Sequence, residues 1–97
     1  MASNVVSPGL IGRHVAAGTA TTIVHTGTGY LHCITINTKG AASNLLTVSD
    51  ANGTIAIIDT TAAAVTLFYD CTFTGSLTCA SATGTGCDYT VSYRNMI

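Results

Sequence analysis

Residues 29–37, with the sequence GYLHCITIN, decide the fold of this chain. They are rich in β-branched and aromatic side chains, which favour strands, and they contain no Gly or Pro between Tyr30 and Ile36. Successive side chains of a strand lie on opposite faces. One face would hold Tyr30, His32, Ile34 and Ile36, and the other would hold Leu31, Cys33 and Thr35. Because both sets contain apolar groups, the segment is predicted to be a strand in the middle of a sheet, covered on both faces.

The composition extends this interpretation to the whole chain. Its 97 residues suffice for one domain, and they include no Glu, Gln or Trp, while Thr, Ala, Gly, Val and Ile dominate. Straight-chain helix formers are scarce, which predicts an all-β protein. Only 7% of the residues are charged and the net charge is −1, so no basic surface for nucleic acid is expected.

The chain is also apolar for its size, with a mean hydropathy of +0.49. No stretch approaches the roughly 20 apolar residues of a membrane span. The N-terminus has no basic region followed by an uninterrupted apolar run, so no signal peptide is expected. We therefore expect a protein that is made in a cytoplasm, avoids membranes and covers part of its apolar surface with a partner.

Turn signals recur at intervals of roughly ten residues from Ala20 onward, as in β-sandwiches. Strands are predicted at residues 21–25, 30–37, 45–49, 54–59, 65–70, 77–81 and 88–94. A continuation of the fifth strand through Cys71 and Phe73 is the alternative. The Asn52-Gly53 pair predicts a tight hairpin turn. Residues 82–86 are predicted to join the strands at residues 77–81 and 88–94 into a last hairpin. Residues 19–97 are accordingly predicted to form one antiparallel β-sandwich domain.

Residues 1–18 differ from the rest of the chain. Pro and Gly interrupt this segment, yet it is too apolar for a disordered tail. The pattern predicts an extended N-terminal arm that lies on a partner surface. Its partner-binding residues would be Val5, Val6, Leu10, Ile11 and Val15. A short edge strand after a frayed terminus is the alternative.

The four cysteines are the most informative polar feature. Cys79 and Cys87 flank the predicted last turn, and a pairing centred on Thr83 would set them directly opposite each other, within the Cα range of a disulfide. Cys33 and Cys71 lie in apolar predicted strands and form the natural second pair. Spacing alone leaves other connectivities open, and four free buried thiols are the alternative.

No other group of residues has the spacing of a reactive site. His14, His25 and His32 are not brought together by any pattern, and the cysteines lack the spacing of a zinc site. The segment from Asp50 to Gly53 resembles the start of a calcium loop, but no closing Glu follows and turn chemistry accounts for it. The carboxylates are Asp50, Asp59, Asp70 and Asp88, all at predicted strand ends. We therefore expect no enzyme, no metal and no cofactor.

Four stretches of the chain resemble small virion proteins of tailed bacteriophages. They are TGTGYLHCITINTKGAASNLLTVSDANG, TIAIIDTT, LFYDCTFTGSLT and ATGTGCDYTVSYR, in that order, and they cover about two-thirds of the chain. Proteins with this pattern look like capsid decoration (cement) proteins or other head and tail components. The resemblance implies a small jelly-roll-like β-sandwich with an extended arm, often trimeric. The cysteines are not part of the resemblance.

The resemblance implies a location in the virion, after synthesis in the host bacterial cytoplasm. It implies the major capsid protein or other virion subunits as partners, together with further copies of the chain in a homotrimer. The alternative is a tail or receptor-binding module. That function calls for exposed aromatic side chains on loops, whereas the aromatic residues here all fall in predicted strands.

Overall fold

The computed structural model of the protein describes residues 10–40, 44–60, 65–81 and 86–95. Eight strands run through these residues, and no helix among them is long and apolar enough to cross a membrane. The strands are β1 (Ile11–Val15), β2 (Thr21–Thr26), β3 (Gly29–Thr38), β4 (Leu45–Asp50), β5 (Gly53–Asp59), β6 (Val65–Phe73), β7 (Ser76–Ala80) and β8 (Asp88–Asn95).

The strands form two antiparallel four-stranded sheets that pack face to face. The first sheet has the order β1-β8-β3-β6, and the second has the order β2-β7-β4-β5. The antiparallel pairs β1–β8, β2–β7, β3–β6 and β4–β5 nest inside one another. The chain is thus one long hairpin, rolled up so that successive pairs alternate between the sheets. This is the jelly-roll arrangement, and it confirms the predicted all-β, jelly-roll-like sandwich.

The tip of this long hairpin is the predicted turn between β4 and β5. Asp50 Oδ1 accepts a hydrogen bond from the backbone N–H of Asn52 at 2.9 Å, and Gly53 has a φ of +131°, which glycine adopts readily. Asp50 Oδ2 also accepts from the backbone N–H of Thr74 at 2.9 Å, in the loop between β6 and β7. Both carboxylate oxygens therefore hold backbone groups, which confirms the predicted turn role of this segment.

The core lies between the two sheets. Every strand contributes side chains to it, and β1 does so through Val15 at its end. Leu31, Ile34 and Ile36 of β3 are buried at its centre. Leu31 and Ile34 both face the core although they are three positions apart, so the predicted alternation is broken between them. The cause is a β-bulge, in which His32 is an extra residue of β3 relative to β8. The β-bulge shifts the inward face from odd to even positions. The prediction that Tyr30, His32, Ile34 and Ile36 share one face is therefore wrong, although β3 is an interior strand as predicted.

Part of the predicted arm belongs to the sandwich. Residues 11–15 are the edge strand β1 and pair with β8 from Ile11–Tyr93 to Val15–Tyr89. Val15 is buried in the core, whereas Leu10 and Ile11 are 41% and 45% exposed. Residues 11–15 therefore form the short edge strand that the sequence allowed as the alternative to an arm. Val5 and Val6 lie outside the described residues.

The last predicted hairpin is also corrected. Strand β7 pairs with β2 and β4 in the second sheet, whereas β8 pairs with β1 and β3 in the first. The segment between them therefore crosses from one sheet to the other. The turn signals at residues 82–86 are real sequence features, but they do not determine which strands pair.

The two sides of the sandwich differ in how well they are closed. The short link between β1 and β2 places these two edge strands on one side, so the other two edge strands, β5 and β6, share the opposite side. On the first side, Val15 and Val24 are both 4% exposed. On the second side, Ile58 and Phe73 are buried, but the other residues that pack against the core are only partly buried, namely Ile55, Ala56, Leu67, Tyr69 and Cys71. We call this second side the open side.

Candidate functional site

Asp70 lies at an irregular point near the middle of β6, not at a strand end as predicted. Leu31 pairs with Cys71, but Cys33 pairs with Phe68, so β6 carries one extra residue relative to β3. Asp70 has a φ of +48°, and it is the one non-glycine residue with positive φ in the described part of the chain. Aspartate tolerates this left-handed conformation better than most residues. The β-bulge places its carboxylate on the outer face of the first sheet.

Two side chains from β3 donate to a single oxygen of Asp70. Tyr30 Oη and His32 Nδ1 each lie 2.7 Å from Asp70 Oδ1. A carboxylate offers no proton, so His32 must carry its own proton on Nδ1 to make this bond. The hydrogen bond from Tyr30, followed by that from His32, lowers the pKa of Asp70. Asp70 is therefore ionised at neutral pH, and the same contact raises the pKa of the Tyr30 hydroxyl.

Aromatic and cationic groups surround this carboxylate. The Arg94 guanidinium lies 5.1 Å from the centre of the Tyr30 ring, a cation–π distance. The rings of Tyr30 and His32 are stacked with centroids 6.5 Å apart, and the ring of Phe68 meets His32 edge to face at 5.3 Å. Phe68 is 65% exposed. We call Tyr30, His32, Phe68, Asp70 and Arg94 the Asp70 cluster.

A second polar network occupies the other end of the same outer face. His14 Nε2 lies 2.9 Å from both carboxylate oxygens of Asp88, and Asn37 Nδ2 donates to Asp88 Oδ1 at 2.9 Å. Asn37 Nδ2 also lies 3.1 Å from Thr90 Oγ1. The bond from Asn37, followed by that from His14, lowers the pKa of Asp88. This network ties β1 to β8 and β3, so it has a structural role at the edge of the sheet.

The three histidines are in three separate surroundings. His14 and His32 lie at different ends of the outer face, and each contacts its own aspartate. His25 packs inside, with its ring 5.8 Å from Phe73 and 5.4 Å from Tyr93. Within the described ranges, no three His, Cys, Asp or Glu side chains are grouped as metal ligands.

The predicted disulfides do not form, because all four cysteines are free. Cys79 is in β7 of the second sheet, whereas Cys87 immediately precedes β8 of the first. The opposed pair that the prediction required therefore does not exist. Cys33 and Cys71 are in adjacent strands, but their pairing partners are Phe68 and Leu31, and the β-bulge at Asp70 separates them. Cys79 and Cys87 are instead buried in the core as small apolar side chains.

The residues singled out from the sequence are thus mostly structural. Val15, Cys79 and Cys87 are core residues, and the described part of the chain encloses no pocket for a small molecule. The Asp70 cluster was missed, since its members come from three strands that are distant in the sequence. One signal was present, because an aspartate interrupts the apolar run of residues 65–73.

The comparisons with known proteins found no relative of this chain. No family model, no curated protein and no solved structure matches the chain.

Proposed function

We propose that this protein is a structural subunit of a tailed-bacteriophage virion, namely a capsid decoration (cement) protein. It binds the outer surface of the capsid, contacts the major capsid protein and reinforces the contacts between capsid subunits. It assembles as a homotrimer and is made in the host bacterial cytoplasm before it joins the virion. The open side of the sandwich is the observation that carries this proposal.

The open side has the properties of a surface that a neighbouring subunit completes. Ile57 on β5 and Val65 on β6 are 62% and 40% exposed. Edge strands of free-standing proteins usually carry Lys or Pro, or inward-pointing charges, that prevent pairing with other chains. Neither β5 nor β6 contains Lys, Arg or Pro, although each strand carries one β-bulge, which is a further device of this kind. A neighbouring chain that adds a strand here would cover both the backbone edge and the partly buried core residues.

The opposite edge supplies a second contact. Leu10 and Ile11 lead into β1 with more than a third of their surface exposed, and β1 has no neighbour on its outer edge in the described ranges. Val5 and Val6 precede this edge in the sequence. In the proposed assembly, the chain before β1 is the arm that docks on a neighbouring virion subunit.

The topology supports this role by analogy alone. Eight-stranded jelly rolls with two four-stranded sheets occur in viral capsid proteins, and also in lectins. A fold shared by both classes does not assign a function, so the proposal depends on the surface.

A tail or receptor-binding module is the second candidate. The Asp70 cluster favours it, because Phe68 and its polar neighbours are exposed together on one sheet face. Aromatic side chains with polar groups beside them are typical of recognition surfaces.

Electron microscopy of phage particles made with and without this protein tests the main proposal. We expect density on the outer capsid surface to disappear in particles that lack it. Density that disappears from the tail would support the second candidate. Particles that are identical in both preparations would contradict both functions.

Two substitutions test the role of the open side. Ile57→Lys places a charge on the edge strand β5, and we expect it to reduce the sedimentation coefficient of the isolated protein and its binding to capsids. Leu45→Lys is the matched control, because Leu45 is 50% exposed but belongs to the interior strand β4. If Leu45→Lys abolishes assembly and Ile57→Lys does not, the open side is not the interface.

A further inference from the structure

We propose that the Asp70 cluster is a binding site for neutral saccharides, specifically for a pyranose unit whose ring substituents are equatorial. This inference is independent of the capsid role, since it concerns the outer face of the first sheet and not the open edge.

Stability alone does not account for the cluster. Hydrogen bonds and ion pairs between exposed side chains stabilise a fold little. The left-handed backbone of Asp70 has an energetic cost of its own. The side chains of His32 and Asp70 are 31% and 51% exposed, yet their atoms are held at 2.7 Å. Ordering of exposed side chains before a ligand arrives is what a binding site requires, because it reduces the entropy lost on binding.

The groups of the cluster match the chemistry of a sugar. A pyranose with equatorial hydroxyls presents a flat face of C–H groups and a rim of hydroxyls. Phe68 supplies an exposed aromatic surface for the C–H groups. Asp70 Oδ1 accepts from Tyr30 and His32, and Asp70 Oδ2 has no hydrogen bond in the described residues. A sugar hydroxyl beside Phe68 can donate to Oδ2, as a charge-assisted hydrogen bond.

The charge of the site selects neutral sugars. Both hydrogen bonds to Asp70 lower the pKa of its carboxyl group, so the carboxylate at the centre of the cluster is ionised. A sugar that carries a carboxylate or sulfate would place a like charge against Asp70 and would be repelled. Arg94 lies against the Tyr30 ring, at the β8 border of the cluster.

The site is open rather than enclosed, and this limits its affinity for a sugar. The described residues form no pocket around it, so a bound sugar keeps much of its surface in water. Binding of one unit is therefore weak, with a Kd of about 1 mM. Repetition of the chain in an assembly would raise the effective affinity by about a hundredfold or more without any new contact.

Nuclear magnetic resonance titration of the full chain with cellotetraose, a neutral β-linked glucose tetramer, tests the proposal. We expect the backbone amide signals of residues 30–33 and 66–72 to shift in a saturable way as the sugar is raised to about 10 mM. Tetrasialic acid, an acidic oligosaccharide of the same length, should cause no such shifts at that concentration.

Three variants make the test specific. Phe68→Ala removes the aromatic surface, and Asp70→Asn keeps a residue that tolerates positive φ but removes the charge. Each should weaken cellotetraose binding by about tenfold or more. Ile23→Ala is the matched control, because Ile23 is 60% exposed on β2 of the other sheet and its loss should leave binding unchanged. The amide spectrum of each variant checks that it remains folded.

Two results would overturn the site. One is the absence of shifts in the cluster with cellotetraose at about 10 mM. The other is a Kd that Phe68→Ala and Asp70→Asn leave unchanged, since sugar binding would then lie elsewhere on the molecule.

Discussion

Gly29 lies directly against the ring of Phe73, its cross-strand partner in β6. A Cβ atom on Gly29 would overlap the end of that ring and would lie 2.5 Å from the carbonyl oxygen of Arg94. Phe73 is fully buried and Arg94 contributes backbone, so neither neighbour can move away cheaply. This position in β3 therefore excludes any side chain, and close packing rather than backbone conformation is the reason.

We expect Gly29→Ala to lower the free energy of unfolding by about 1–3 kcal/mol, because it overpacks a rigid part of the core. Urea unfolding measures the loss. Gly12→Ala in β1 is the control, since the nearest atom to its added Cβ is Thr90 Cγ2 at 3.9 Å. That variant should change the free energy by no more than about 0.5 kcal/mol. Equal effects of the two substitutions would show that the close approach at Gly29 does not exist.

Stability should decrease in acid as Asp70 and Asp88 become protonated. Their hydrogen bonds lower both folded-state pKa values below the ordinary value of 3.8. Groups of this kind contribute stability that is fully present above the unfolded-state pKa and is lost as the pH falls through the folded-state pKa. We expect the urea midpoint to decrease below about pH 4, by a small amount because both carboxylates are near solvent.

The double variant Asp70→Asn, Asp88→Asn isolates this contribution. Its urea midpoint should change less between pH 5 and pH 2 than that of the unmodified chain, because two of the groups whose pKa is lowered in the folded state have been removed. An identical acid dependence in the two proteins would mean that these carboxylates are not stabilised in the folded state.

All four cysteines should be recovered as thiols. Alkylation of the denatured chain without reductant should modify every cysteine, because none is bonded. In the folded protein, Cys71 should react at least about tenfold faster than Cys79, since the thiolate is the reactive form and burial suppresses it. Cys79 is fully buried, and burial raises its pKa to about 12. Recovery of any pair of cysteines as a disulfide would contradict the structure.

The existence of the strands could be predicted because it depends on local composition. The β-branched segments and the Asn52-Gly53 turn predict the strands and the hairpin of β4 and β5, and the structure has them. The pairing of β7 and β8 could not be predicted in the same way. A glycine-containing loop allows either a hairpin or a crossover between sheets, and the choice depends on contacts with β1 to β4, which are distant in the sequence.

The Asp70 cluster could not be predicted for a related reason. Its contacts depend on the register of β3 against β6, and that register changes at a β-bulge marked only by the positive φ of Asp70. A shift of one residue moves a side chain to the opposite face of a sheet. Strict alternation put His32 and Ile34 on the same face, whereas the bulges put His32 outside and Ile34 in the core. The residues of the site were therefore visible in the sequence, but their grouping was not.

Tyr89 offers a test of the core itself. Its side chain is fully buried, and among residues 10–40, 44–60, 65–81 and 86–95 its hydroxyl has no hydrogen-bond partner of acceptable geometry, although Thr22 and Cys79 lie close by. An unsatisfied buried hydroxyl destabilises a fold by about 1–3 kcal/mol. Tyr89→Phe keeps the ring and removes the hydroxyl, so we expect the free energy of unfolding to rise by up to about 2 kcal/mol.

Tyr30→Phe is the matched control for this prediction, because it removes a tyrosine hydroxyl that does have a partner, Asp70 Oδ1 at 2.7 Å. That variant should lower the free energy of unfolding only slightly, since the lost bond is exposed to solvent. The two substitutions make the same chemical change and should have opposite signs in urea unfolding. A loss of stability in Tyr89→Phe as large as about 1 kcal/mol would show that the buried hydroxyl is hydrogen-bonded, for example to an internal water molecule.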